Sequence, residues 1–218
     1  MVVQKDRRPV ADTTFNQPRR FPEGDKIRFT SLHNKRMFLW RKRPGQPDQI
    51  ASGQAMADET EQEPRFICDD HLGKLARYLR VGGFDTLFDK GIDNSRLIQI
   101  SLDEKRHILT RDRRLIERRL VRYYFLVNDD RWQNQIKAVI EHFGLSFGLS
   151  RLFTRCLEDN TLIEKVDKKD VERLVFSYTY EHHSEFFRCP ACGRIYWSGS
   201  HIEVMLDRLK DAGIDIRE

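Results

Sequence analysis

Apolar positions along the chain fall into three regimes. Up to residue 62 they keep no sustained period, and five of the seven prolines lie by position 47, so residues 1–62 are expected to form a largely disordered arm and linker. From residue 65 the pattern becomes regular. Arg65-Phe66-Ile67-Cys68 reads as a strand, Leu72, Leu75, Ala76 and Leu79 follow at helical spacing, and Gly82-Gly83 stop the helix. Phe84 to Phe88 is a second strand, and Asp93 caps a helix carrying Leu97, Ile98 and Leu102. His107 to Thr110 is a third strand, and Leu115, Ile116 and Leu120 mark a short helix. Tyr123 to Val127 is a fourth strand, and Ile136, Val139, Ile140 and Phe143 define the last helix of this block. Four alternations within residues 63–148 predict an α/β fold, a parallel sheet with helices on both faces. After Gly148 the alternation stops. Residues 149–218 read as a small separate module with a C-terminal helix, holding too little core to stand without a staple.

Composition narrows the partners. No run approaches the ~18 apolar residues of a membrane helix. MVVQKDRRPV has no apolar segment of the kind a secretory signal needs, so a cytoplasmic protein without a membrane partner is expected. The formal charge of +5 favours a polyanion. In the arm, Lys26 to Phe29 and Lys35 to Arg43 interleave cations with aromatics, which suits phosphate contact and base stacking or, equally, a short element docked on the main domain. Without an export signal, Cys156, Cys189 and Cys192 point to a metal rather than to disulfides, whereas Cys68 sits in a strand and reads as core.

The chemistry lies in where acidic residues fall. In a parallel α/β sheet, ligands bind outside the carboxyl ends of the strands. Asp69 and Asp70 follow the first strand, Asp89 and Asp93 the second, Asp112 the third, and Asp129 and Asp130 the fourth. Clustered carboxylates repel one another unless a divalent cation neutralises them, and hard oxygen donors suit Mg²⁺ or Mn²⁺. Such ions support phosphodiester hydrolysis by activating water and stabilising the leaving oxygen. The competing explanation is that Asp93 and Asp112 only cap the helices they precede. Around the rim stand Lys74, Arg77, Arg80, Arg111 and Arg113, candidate contacts for a polyanionic substrate or merely a solvated helix face.

These residues resemble a known family. Phe66-Ile67-Cys68-Asp69-Asp70-His71-Leu72-Gly73-Lys74-Leu75-Ala76-Arg77-Tyr78-Leu79-Arg80, followed by Gly83-Phe84-Asp85-Thr86, is similar to the opening motif of the Mut-seven C-terminal RNase family. Ile108-Leu109-Thr110-Arg111-Asp112 resembles its second signature. Arg155-Cys156, Cys189-Pro190-Ala191-Cys192-Gly193 and Tyr196-Trp197-Ser198-Gly199-Ser200-His201 resemble its C-terminal part. The resemblance covers roughly residues 65 to 206. It implies a PIN-like fold followed by a zinc ribbon, with metal-dependent ribonuclease activity. Asp69 and Asp112 then match the best-defined acidic positions and would hold Mg²⁺ or Mn²⁺. Asp93 matches a looser position. Asp129 or Asp130 would complete the set, and Asp130 is taken for the candidate site. One position departs from the family pattern: where the first knuckle resembles Cys-x-x-Cys-Asn, this chain reads Cys156-Leu157-Glu158-Asp159-Asn160. A zinc site would therefore use Cys156, Asp159, Cys189 and Cys192, with His182, His183 or His201 as possible substitutes.

The reading that follows is a metal-dependent ribonuclease acting on RNA, single-stranded by expectation. The alternative is a nucleic-acid-binding module without catalysis. A phosphoacceptor receiver domain is a third possibility, but it would need a lysine after a fifth strand, and the sequence offers no such strand.

Overall fold

Residues 2–4 and 63–217 are described by the computed structural model. Strand β1 (Val2–Gln4) lies within the segment expected to be disordered, and its backbone pairs with a strand near the other end of the chain. The Lys26–Phe29 and Lys35–Arg43 clusters lie outside the described residues.

The alternating block follows. It comprises β2 (Phe66–Cys68), a 3-10 turn at Asp70–Leu72, α1 (Gly73–Val81), β3 (Thr86–Phe88), α2 (Asn94–Glu104), β4 (His107–Thr110), α3 (Arg113–Ile116), β5 (Tyr124–Leu126) and α4 (Trp132–Phe143). The four strands form one parallel sheet in the order β3-β2-β4-β5. Alternation along each strand divides the core between the faces. Phe66, Cys68 and Leu109 pack with α1 and α4, whereas Ile67 and Ile108 pack with Leu97, Ile98 and Leu115 of α2 and α3. Helix α3 is shorter than its apolar spacing predicts. It stops at Ile116, and Leu120 is 62% exposed within a turn closed by Val121 N–H donating to the Arg118 carbonyl.

The rest of the chain holds β6 (Phe147–Gly148), β7 (Glu164–Val166), α5 (Lys168–Val171), α6 (Ser177–His182), β8 (Phe186–Arg188), β9 (Ile195–Trp197), α7 (Ser200–Asp211) and β10 (Ile216–Arg217). An antiparallel sheet runs β1-β9-β8-β7, and β10 pairs in parallel with β6. The larger core continues from α1 and α4 through Phe147, Phe153, Cys156, Tyr196, Met205 and Leu209, so this half shares its apolar packing with the parallel sheet. A smaller cluster of Val171, Val175, Phe186, Ile195 and Trp197 belongs to it alone. No helix among the described residues is long and apolar enough to cross a membrane.

Candidate functional site

The two central strands, β2 and β4, deliver Asp69 and Asp112 side by side, and a hydroxyl joins them. Asp69 is 7% exposed. Its Oδ1 accepts from the Asp70 N–H at 2.7 Å, and its Oδ2 accepts from the Thr110 hydroxyl at 2.7 Å. The same Thr110 oxygen accepts from the Asp112 N–H at 2.9 Å. Thr110 is fully buried and therefore fixes the separation of the two acids. Asp112 uses Oδ1 to cap α3 through the Arg114 N–H at 2.8 Å, and Asp93 uses Oδ1 to cap α2 through the Ser95 and Arg96 N–H groups. Asp70 accepts from the Gly91 N–H at 2.7 Å, which ties the loop after β3 to the end of β2. After β5, Asp129 accepts from the Arg131 N–H and the Asn134 amide at the start of α4, and these donors hold its carboxyl below the usual carboxylate range. Asp130 points to solvent and pairs with Arg111. All these acids thus lie on the strand-end rim. Among the described residues, however, no three of their carboxylates converge within ligand reach of a single point.

The cations separate into two kinds. Lys74, Arg77, Arg111 and Arg113 are exposed, and the Lys74 ammonium lies 5.3 Å from the centre of the Trp132 ring, which stacks on Tyr78. Arg80 is different, and its burial removes it from the expected substrate contacts. It is 3% exposed, and its Nε donates to the Thr86 carbonyl while Nη1 donates to the Leu157 and Glu158 carbonyls. Its donors face the protein interior, so it joins α1 and β3 to the Cys156–Asp159 knuckle.

Cys156, Asp159, Cys189 and Cys192 bring one donor atom each within 4.8 Å of all the others, so the group could hold a metal ion. The Cys156 and Cys192 sulfurs lie 3.7 Å apart, and the Cys189 sulfur lies 3.3 Å and 3.5 Å from the two Asp159 oxygens. Metal–ligand bonds of ~2.3 Å to sulfur and ~2.0 Å to oxygen at tetrahedral angles give edges of roughly 3.8 and 3.5 Å, so the donor set fits zinc. Burial pushes the Cys189 and Cys192 thiols above their ordinary range. Burial opposes the Asp159 charge too, but the Thr161 N–H and the neighbouring thiols hold it down to about 2. A divalent cation would reverse the thiol shifts by stabilising thiolates. The Tyr196 hydroxyl lies 3.0 Å from the Cys156 sulfur and accepts from the Leu157 N–H at 3.3 Å. None of His182, His183 and His201 belongs to the cluster.

Sequence reasoning missed Thr110, Asn160 and Tyr196 as site residues. Thr110 and Asn160 stood inside the quoted motifs, but their partners lie far along the chain. Tyr196 also stood inside a quoted motif, and its partner Cys156 lies 40 residues earlier in the chain.

A family model described as the Mut7-C RNAse domain matches residues 64–209, and the chain belongs to that family. Membership points to a nuclease. Neither the curated proteins nor the solved structures contain a match to this chain.

Proposed function

We propose that the protein is a metal-dependent ribonuclease of PIN-like architecture that hydrolyses phosphodiester bonds of single-stranded RNA. The observation that carries this reading is the placement, within the matched family region, of Asp69 and Asp112 at the ends of the two central strands, coupled through Thr110. Asp69 and Asp112 would hold Mg²⁺ or Mn²⁺, with Asp93 and Asp130 completing the acidic rim. Mg²⁺ commonly takes one or two carboxylates and leaves its other positions to water and substrate phosphate, so the lack of a tighter carboxylate cage among the described residues fits that ion. When bound, the cation supplies an activated water and charge stabilisation for the leaving oxygen.

The chain's own residues do the rest. The Thr110 hydroxyl and the Asp70 N–H orient the Asp69 carboxylate and offset the cost of its burial. Capping bonds fix the rotamers of Asp93 and Asp112 through Oδ1. Lys74, Arg77, Arg111 and Arg113 present cations to the phosphates. The Cys156–Asp159–Cys189–Cys192 group would hold a structural Zn²⁺ in a ribbon-like module. A module that binds nucleic acid without cleaving it is the second reading, favoured by one observation: Asp93 and Asp112 both serve as helix caps. Labelled single-stranded RNA and DNA, incubated with protein plus Mn²⁺ or plus chelator, separate the two. Mn²⁺-dependent RNA cleavage supports the nuclease; binding without cleavage supports the alternative.

A further inference from the structure

The segment Ser198-Gly199-Ser200-His201 opens α7 and plays no part in the metal cluster. Its Ser200 and His201 line a groove instead. Lys74 and Arg77 of α1 form one wall, and His201, Val204 and Arg208 of α7 form the other. Spacings of three and four residues from 201 to 208 put these side chains on one face of α7. Val204 is 47% exposed, and among the described residues no acidic side chain lines the groove. Arg77 also meets Glu158 at 3.3 Å, an exposed pair that water screens and a phosphate would outcompete.

The groove leads to the acidic rim. Lys74 also lines a second depression, which it shares with His71, Asp130 and Trp132. Helix α1 begins just after Asp69 and the 3-10 turn, so its first turn stands beside the central carboxylate. A polyanion lying along α1 would therefore pass from Arg208 and Arg77, over Lys74, to Asp69 and Asp112. An exposed apolar side chain, Val204, between cations suits a flexible strand that offers phosphates and base faces alternately.

We infer that the α1–α7 groove is the path by which single-stranded RNA reaches the strand-end carboxylates, with His201 and Arg208 as RNA contacts supplied by the C-terminal half of the chain. This rests on the nuclease reading above. The test measures anisotropy of a short fluorescein-labelled oligouridylate bound to the full chain, without added Mg²⁺ or Mn²⁺, across a salt series. Arg208→Gln and His201→Gln are compared with Lys210→Gln, which changes a charge on α7 outside the groove. Each lost phosphate contact removes about 0.7 from the salt slope and weakens binding roughly fivefold at about 0.1 M salt. Arg208→Gln should show that loss, His201→Gln a smaller one, and Lys210→Gln none, with all three melting as wild type does. Val204→Glu should weaken binding further than Arg208→Gln. If Arg208→Gln and Val204→Glu bind like wild type while the wild type still cleaves RNA, the groove is overturned and the nuclease reading stands. Equal weakening by Lys210→Gln would reveal a general surface field and also overturn the groove. A wild type that neither binds nor cleaves the oligonucleotide would remove both.

Discussion

Asn160 clasps the sheet edge beside Asp85: its Nδ2 donates to Asp85 Oδ1 at 2.7 Å, while its own Oδ1 accepts from the Thr86 N–H at 2.9 Å. Asn160 does this from a left-handed backbone conformation, φ 74°, which asparagine tolerates better than most residues. The residue that follows the knuckle thus ends at the start of β3, and Arg80 makes a second tie between the same parts. Replacing Asn160 with Ala strands a buried N–H. We expect a loss of roughly 1–3 kcal/mol in denaturant unfolding. Asn160→Gly, which keeps the backbone free to adopt φ 74°, should recover only the small backbone part of it. Full recovery by glycine would show that the two hydrogen bonds contribute nothing.

Asp85 carries a pH signature. Burial opposes its charge, yet hydrogen bonds from Arg106, Asn160 and Arg65 hold its carboxyl down to about 2. The folded value lies below the unfolded one, so the stabilisation is present above about pH 4 and is lost as pH falls through about 2. The stability gap between wild type and Asp85→Asn should be roughly 2 kcal/mol at neutral pH and should close on acidification over that window. A gap independent of pH down to about 2 would refute the assignment.

Arg80 and Arg77 stand one turn apart on α1 but should behave oppositely. Arg80→Met leaves three carbonyls without their donor and should cost roughly 2–3 kcal/mol in thermal or urea unfolding. Arg77→Gln should leave the melting curve in place and weaken RNA binding.

How much of this was legible beforehand follows from which interactions are local. The four parallel strands and their helices were readable because Phe66 to Cys68, His107 to Thr110 and the helix spacings carry their own period, and the Asp93 cap is a contact within its own helix. Arg80 was misread because it shares the i, i+3 spacing of Lys74 and Arg77. At ~100° per residue, however, six residues carry it about 120° around the helix, into the interior. Its acceptors lie at Leu157 and Glu158, which no local pattern reveals. Strand β1 was missed because three residues are too few to show a period, and their partner lies at Ile195–Trp197.

Thr110 offers a finer test of the site. Thr110→Val keeps the shape but removes the hydroxyl that orients Asp69 and receives the Asp112 N–H. Loss of such a supporting contact typically costs about 10–100-fold in activity. We expect a fall in Mn²⁺-dependent cleavage of that size, with Thr110→Ser retaining most activity. Equal activity in all three proteins would mean that the hydroxyl does not position the acids.

For the cysteine cluster, a carboxylate in place of a fourth thiolate should make zinc easier to remove. Asp159→Cys should hold zinc against chelator concentrations that strip the wild type, and should raise the melting temperature. Protein purified without chelator and carrying under about a tenth of an equivalent of zinc, with a melting curve indifferent to added zinc, would show a module held by packing alone.

The central claim is that Asp69 and Asp112 form the reaction centre. The direct measurement is cleavage of labelled single-stranded RNA by purified wild type, Asp69→Asn and Asp112→Asn in Mn²⁺, alongside their melting curves. The account predicts that each variant loses roughly a hundredfold or more in rate while still folding: Asp112→Asn keeps an α3 cap and melts near the wild type, whereas Asp69→Asn melts somewhat lower because its amide nitrogen must face either the Asp70 N–H or the Thr110 hydroxyl. Cleavage by either variant at close to the wild-type rate would contradict it.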